Sequence, residues 1–318
     1  MELIRDLLVQ GVQMLVVVAL APALLGLVRK VRARLMRRRG ASILQPYRDL
    51  LRLMRKDVVL AENASWLFRA APYLIFAATW VAAALVPTFA FGLQFNWTAD
   101  LIAIVALLGS ARFFLALAGM DVGTAFGGIG ASREMMIASM AEPAMLLAAF
   151  SVALVAGSTQ LSTVAEHMAT EAVGLRVSLG LALVALVIVA LAENARIPVD
   201  NPSTHLELTM VHEAMVLEYS GRHLAMIELA AALKLLLYIS LIICVFVPWG
   251  MAGAQSGVLA YLAGFGFWLA KLALGGVALG AFEVSIAKMR VFRVPDFLGA
   301  ALMLGLLGVL LLFVSRSL

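Results

Sequence analysis

Eight stretches of about twenty mostly apolar residues alternate with short polar segments along this chain. That alternation limits the fold more than any motif does. A helix of about twenty residues crosses the ~30 Å hydrocarbon layer of a bilayer. Inside lipid, every backbone N–H and C=O must be satisfied within the protein, which leaves helices or a closed barrel. The spacing predicts spanning helices at roughly 4–28, 68–90, 98–120, 134–157, 174–193, 222–248, 257–283 and 297–315. Pro72, Pro87 and the Gly275–Gly276 pair fall in or beside these runs, as membrane helices tolerate. The chain therefore reads as one all-α integral membrane domain over 1–318, with no soluble domain and no solenoid repeat. Hydrophobic residues make up 64% and charged residues 14% of it, against about half and a quarter in soluble domains. The first run, Leu7 to Val28, is too long for a signal peptide and leads into a basic cluster, so it reads as a retained helix. Cys244 is the single cysteine, which leaves no disulfide and no cysteine-held metal or iron–sulfur site within this chain.

Arginine and lysine are distributed unevenly. Arg29, Lys30, Arg32, Arg34, Arg37, Arg38, Arg39, Arg48, Arg52, Arg55 and Lys56 follow the first apolar run, and Lys288, Arg290 and Arg293 precede the last. By the positive-inside rule those loops are cytoplasmic and both termini face outward. The net charge of +5 is thus a matter of topology and implies no nucleic-acid partner. The polar segments 29–66, 121–134, 194–221 and 284–296 share the cytoplasmic side, and the outer loops, such as 158–173, are plain. Within the first loop, Tyr47, Leu50, Leu51, Met54 and Val58 recur at helical spacing between Gln45 and Val59. This amphipathic helix lies on lipid, borders a cavity or docks a partner.

Charge concentrates from Glu193 to Gly221, where Glu193, Arg196, Asp200, His205, Glu207, His212, Glu213 and Glu218 stand between two membrane runs. Pro198 and Pro202 break any helix there. A helix is expected to restart at Ser203 or Thr204 and to carry Glu207 and Glu218 on one face and His205 and His212 on another. A seven-residue His spacing is a poor zinc pattern, so no metal site is expected. Readings left open are a solvated loop with capping acids and a buried acid–imidazole network. In the 121–134 segment, Gly127, Gly128 and Gly130 lack the lysine and the preceding strand of a phosphate loop, and they are expected to permit tight turns at the membrane surface. Arg112, Asp121, Arg133, Glu134 and Glu142 bracket this region. Glu142 is either a proton-exchanging acid or the structural partner of Arg112 or Arg133. Glu228, Lys234, Lys271 and Glu283 add further charges to apolar runs, and with Glu142 and Glu193 they could form a charged axis.

Several segments together carry a resemblance to a family. They are Arg32-Ala33-Arg34 through Arg38-Arg39-Gly40, Gln45-Pro46-Tyr47-Arg48-Asp49, Gly130-Ala131-Ser132-Arg133-Glu134 with Glu142-Pro143, Ile197-Pro198-Val199-Asp200, and Glu218-Tyr219-Ser220-Gly221. The chain resembles the NuoH family of membrane-anchor subunits, shared by respiratory complex I and the group 4 membrane-bound [NiFe] hydrogenases, of the formate hydrogenlyase subunit 4 and hydrogenase-4 component C type. The resemblance implies an anchor that binds no cofactor itself. Its partners would be hydrophilic iron–sulfur and large hydrogenase-like subunits on the cytoplasmic side, holding iron–sulfur clusters and NiFe, together with antiporter-like membrane subunits. It implies a bacterial or archaeal cytoplasmic membrane. Proton coupling would fall to Asp121, Glu134, Glu142, Glu193, Asp200, Glu207, Glu213 and Glu218, with Glu228, Lys234, Lys271 and Glu283 extending the path. Docking would fall to Arg38, Arg39, Gln45, Tyr47, Arg48, Arg133, Arg196, His205 and His212. Complex I members resemble P-F-D-L-P-E-G-E-S-E-L where this chain has Pro198-Val199-Asp200-Asn201-Pro202-Ser203-Thr204-His205-Leu206-Glu207, and Glu134 follows Arg133 as in the hydrogenase branch. Both features favour a hydrogenase-type assembly over a quinone-site subunit. A stand-alone ion-coupled transporter, using Lys234 and Lys271, is the alternative from another class.

Overall fold

The computed structural model describes residues 2–92, 98–170, 176–199, 210–253, 256–287, 289 and 293–317, with the side chains of 2–6 and 316–317 left aside. Among these residues the chain is helical, and its only β pairings are two isolated bridges, Ala90 with Ala252 and Asp100 with Gln160. The helices are α1 (Glu2–Leu35), α2 (Gln45–Met54), α3 (Trp66–Leu85), α4 (Leu101–Asp121), α5 (Ala125–Ala156), α6 (Leu161–Thr170), α7 (Val177–Glu193), α8 (His212–Val216), α9 (Gly221–Phe246), α10 (Val258–Ser285) and α11 (Val294–Ser317). Seven of them are long and apolar enough to cross a membrane, and α7 is a shorter apolar helix. With 17 residues α7 measures about 26 Å, the lower limit for a span.

α1 runs seven residues beyond its expected end at 28, because Arg29, Lys30, Arg32 and Arg34 are good helix formers that keep the helix going into the polar side. Arg29 and Arg32 are thereby held on a helix. The buried stripe Val17, Ala21, Leu24 and Val28 faces α9 and α10. Gly276 and Gly280 allow α10 to come close: a Cβ would stand 2.9 Å from Leu24 Cδ1 and 3.0 Å from Val31 Cγ1 respectively.

α2 is the amphipathic helix expected in the first loop, ending at Met54 rather than 59. Its Pro46 is buried, and the Tyr47 hydroxyl donates to the Ala19 carbonyl of α1.

Gly127, Gly128 and Gly130 do not form turns, contrary to expectation; Gly123, at φ +72°, lies in the turn between α4 and α5. Thr124 caps α5 by accepting the Gly127 N–H at 3.3 Å, and helix begins at Ala125 instead of 134. Gly127 and Gly130 lie on its first turns because neighbours press on them. A Cβ on Gly127 would stand 2.0 Å from the Gly119 carbonyl oxygen, and one on Gly130 2.9 Å from Ala214 Cβ.

The expected helix does not run unbroken to Glu218, and residues 200–209 lie outside the described residues. Met210 and Val211 are non-helical, α8 is a single turn, and Leu217 and Glu218 make a turn. Asp200, His205 and Glu207 lie outside the described residues. The outer segment expected to be plain holds α6, whose Leu161, Val164, Ala165 and Met168 pack on the core at helical spacing.

Candidate functional site

The interior of the bundle carries a line of paired charges. Arg112 sits on α4 among buried apolar neighbours and is only 5% exposed. An unpaired guanidinium there would cost several kcal/mol. Three carboxylates from two helices surround it. Glu134 Oε1 of α5 lies 3.1 Å from its Nε, and Glu142 Oε1, two turns along α5, lies 3.6 Å from Nη1. Glu193, the last residue of α7, pairs with Nη2. Glu142 lies over Gly109, close enough that a Cβ there would touch its Oε1 at 3.4 Å. Glu193 also reaches Lys234 of α9 at 3.9 Å.

Glu193 and Lys234 then open onto a cavity of about 210 Å³. Its charged lining is Arg29 and Arg32 of α1, Arg196 after α7, Glu213 of α8, Glu228 of α9 and Glu283 of α10. Arg196 Nη1 donates to Glu283 Oε1 at 3.4 Å, and Arg32 Nη1 lies 3.7 Å from Glu283 Oε2. The charged line thus passes from Glu142 through Arg112, Glu193 and Lys234 into the cavity, where Glu283 and the α1 arginines end it. Four cationic and four acidic side chains line the cavity. Burial pushes Arg196 below the usual arginine range, and Glu283 opposes that shift. His212, half-buried in the same wall, is pushed down to about 4, mainly by burial and secondarily by the Lys234 charge, against a weaker pull from Glu134. It therefore stands neutral at neutral pH.

A second cavity of about 230 Å³ lies between α1, α2 and α9 and shares Leu25, Arg29, Glu228 and Ala232 with the first. Asp49, Leu50 and Leu53 of α2 line it. Glu228 therefore faces both spaces.

Other residues singled out from the sequence take different positions. Asp121 accepts the Ser65 N–H at 2.8 Å and so holds the start of α3. Arg133 Nη1 donates to the Met210 carbonyl at 2.8 Å, so Glu142 has Arg112 as its arginine partner. Glu218 is exposed in the turn after α8. Lys271 donates to the carbonyls of Val247, at 2.6 Å, and Trp249. It stands about 18 Å from Glu283 along α10, off the charged line. Gln45 donates to Asp49 at 3.0 Å, and Arg38, Arg39 and Arg48 are exposed. The Glu218-Tyr219-Ser220-Gly221 segment grips the first loop. Ser220 Oγ bonds the Val59 N–H and carbonyl at 2.8 and 2.9 Å, and Tyr219 stacks on Phe68 at 4.0 Å. Burial, with the nearby Asp121 charge, raises the Tyr219 hydroxyl above its usual range. Gly221 has φ +53°, and a Cβ on it would stand 2.5 Å from the Asp57 carbonyl oxygen. From the sequence Arg112 stands only as a counter-ion, and Arg29 and Arg32 belong to the basic loop. A lone arginine in the middle of an apolar run was the available signal for the first. Among the described residues no group of three His, Cys, Asp or Glu side chains converges as metal ligands do.

A model of the family described as NADH dehydrogenase matches residues 9–314. The chain is 34% identical over 286 residues to formate hydrogenlyase subunit 4 of Escherichia coli K12, covering 89% of this chain and 91% of that protein. It is 35% identical to hydrogenase-4 component C of the same organism, covering 76% and 75%. NADH-quinone oxidoreductase subunit 8 of Rhodothermus marinus is 28% identical over 65% of this chain and 59% of its own length. Among solved structures, the membrane-bound sulfane sulfur reductase, an archaeal respiratory membrane complex, contains a chain that superposes with TM-score 0.78 at 21% identity, covering 96% of this chain and 97% of that one. That likeness shows the fold.

Proposed function

The chain belongs to the NADH dehydrogenase family, and from that premise we propose that it is the membrane anchor and energy-coupling subunit of a hydrogenase- or formate hydrogenlyase-type oxidoreductase. The two E. coli relatives are by name a subunit and a component of such enzymes, and the identity to them exceeds that to the NADH-quinone oxidoreductase relative. The observation that carries the reading is the line of paired charges from Glu142 to Lys234, which opens onto the cavity that the Glu283 pairs with Arg196 and Arg32 also line. Charged side chains buried in a membrane bundle are costly and mark ion or proton routes. A guanidinium shared among three carboxylates can shift toward one of them when the charge of another changes.

In this proposal the basic first loop and the cavity face the cytoplasm, and both termini lie on the other side. Iron–sulfur and large hydrogenase-like subunits dock over α2, Arg38, Arg39 and Arg48. A charge change at the cavity shifts Glu193 against Lys234, and Arg112 carries the shift to Glu142. Glu142 then faces antiporter-like membrane subunits. Asp200 and Glu207 are assigned to the same coupling role, and His205 to docking, by the family resemblance. The chain binds no cofactor itself. Gentle affinity purification from the native membrane, followed by mass spectrometry, tests the assembly: iron–sulfur and hydrogenase-type large subunits are expected, and recovery of the chain alone, active in ion uptake, would contradict it.

One observation favours the complex I-type reading. The second cavity, beneath α2 and joined at Glu228 to the charged one, has room for a small ring, with Arg29 among the apolar residues to meet a carbonyl oxygen. Quinone-dependent turnover by the purified complex, abolished by Leu50→Trp in that cavity, would support a quinone site.

A further inference from the structure

A third cavity, of about 330 Å³, plays no part in the charged line except at one end. It lies between α7, α9 and α10. α7 packs chiefly on α5 and α11, and α10 chiefly on α1, so the two diverge and α9 forms the floor between them. Val187, Ile239, Gly275 and Ala278 give it an apolar lining, and Asn194 and Arg196 close its end. Gly275 brings α10 onto the floor, since a Cβ there would stand 2.7 Å from Ile239 Cγ2.

Its dimensions decide what fits. Val187 to Asn194, Leu235 to Ile243 and Gly275 to Phe282 are the stretches that line it, so it runs about 10–12 Å along each helix. That is less than half the ~30 Å hydrocarbon layer, so the groove is one leaflet deep. A transmembrane helix is about 10 Å wide and needs the full thickness, so it does not fit. One acyl chain does. The closed end supplies unmet polar groups: Arg196 Nε and Asn194 Oδ1 are buried with no hydrogen-bond partner among the described residues, although Arg196 Nη1 pairs with Glu283 and Asn194 Nδ2 donates to Ala190 at 2.8 Å. Both residues also line the charged cavity. A guanidinium with an unmet N–H favours an anionic oxygen acceptor.

We propose that this groove holds one acyl chain of a phospholipid from the leaflet on the side of the basic first loop, with its phosphate held by the Arg196 guanidinium. The lipid seals the charged cavity from the hydrocarbon at the gap between α7 and α10. It is a fixed part of the subunit, distinct from the solvent-like lipid that covers the outer face of α11.

The complex is reconstituted in vesicles of phosphatidylethanolamine and phosphatidylglycerol doped with a phospholipid that carries a photoreactive diazirine in mid-chain. After irradiation, labelled peptides are mapped by mass spectrometry. Label is expected to concentrate on Val187, Ile239 and Ala278, well above that on Leu310, an exposed apolar residue of α11. Ala278→Trp fills the groove and lowers its labelling about tenfold, the effect of displacing about two buried methylenes, while Leu310 labelling stays constant. Where the tryptophan variant does not fold, Ala278→Leu gives a smaller loss of the same kind. Arg196→Gln lowers groove labelling by the phospholipid but leaves labelling by a photoreactive fatty alcohol unchanged. Equal labelling of groove and Leu310, groove labelling indifferent to Ala278 substitution, or exclusive labelling by a photoreactive quinone would overturn the proposal.

Discussion

Arg112 of α4 and Glu193 at the end of α7 form an ion pair in which neither residue is more than 7% exposed. Glu134 and Glu142 approach the same guanidinium, and Lys234 approaches the same Glu193. Removing one member of such a network leaves the others buried and unmatched, which costs more than the net worth of the intact pair. Arg112→Gln is therefore expected to destabilise the subunit by about 3–5 kcal/mol. Arg112→Lys should restore part of the loss, because lysine keeps the charge without the planar fork. The double variant Arg112→Gln/Glu193→Gln should lose less than the sum of the single variants. Thermal unfolding of the detergent-solubilised protein reads all three, and additive losses would show that the two residues do not interact.

The start of α5 distinguishes glycines by what faces them. A Cβ on Gly127 or Gly130 meets the backbone of Gly119 or Val211, whereas one on Gly128 meets nothing within 4 Å. Gly127→Ala and Gly130→Ala should impair folding or lower the yield of assembled protein. Gly128→Ala should be neutral or raise helix stability by about 1 kcal/mol. Equal behaviour of all three would mean that α5 does not approach α4 and α8 as described.

His212 gives stability a pH dependence of definite sign. Its imidazole sits at about 4 in the folded state, below the ordinary value of 6.5. The contribution of the neutral imidazole is complete above about pH 6.5. It is lost as pH falls toward 4, because the unfolded chain takes up the proton first. Over that window the loss attributable to His212 is at most about 3 kcal/mol. His212→Gln should remove this part of the acid sensitivity and change little above pH 7. An unchanged acid profile in the variant would place the histidine in contact with water.

Ser220 ties two loops together through Val59. Ser220→Ala removes both bonds and is expected to cost about 1–3 kcal/mol. Limited trypsin digestion should then cut faster after Arg52, Arg55 or Lys56. Unaltered digestion would indicate that α2 is held by Tyr47 and Pro46 alone.

Much of this arrangement is legible in the sequence. Apolar run lengths locate the long helices, and the spacing of Tyr47, Leu50 and Met54 marks α2. Glycine chemistry misleads at 127–130, because glycine serves close helix contact as readily as turns and only the neighbouring α4 and α8 decide between the two uses. Glu142, Glu193, Lys234 and Glu283 stand out as charges in apolar runs, but their pairing depends on which helices meet. Lys271 looks equivalent to Lys234 in sequence, yet it ties the end of α9 through the Val247 carbonyl. Arg29 and Arg32 are masked by the basic loop that follows them, and only the continuation of α1 turns Arg32 toward Glu283.

Arg112 and Glu142 are proposed to carry coupling as well as structure. This role is tested most directly by measuring protons translocated per electron in vesicles containing the assembled complex, with wild type compared with Glu142→Gln. Glu142 is the least buried of the three carboxylates around Arg112, so its neutralisation costs the least stability. A fall in the ratio with intact assembly and continued redox turnover is the predicted result. An unchanged ratio in a correctly assembled variant would contradict the account.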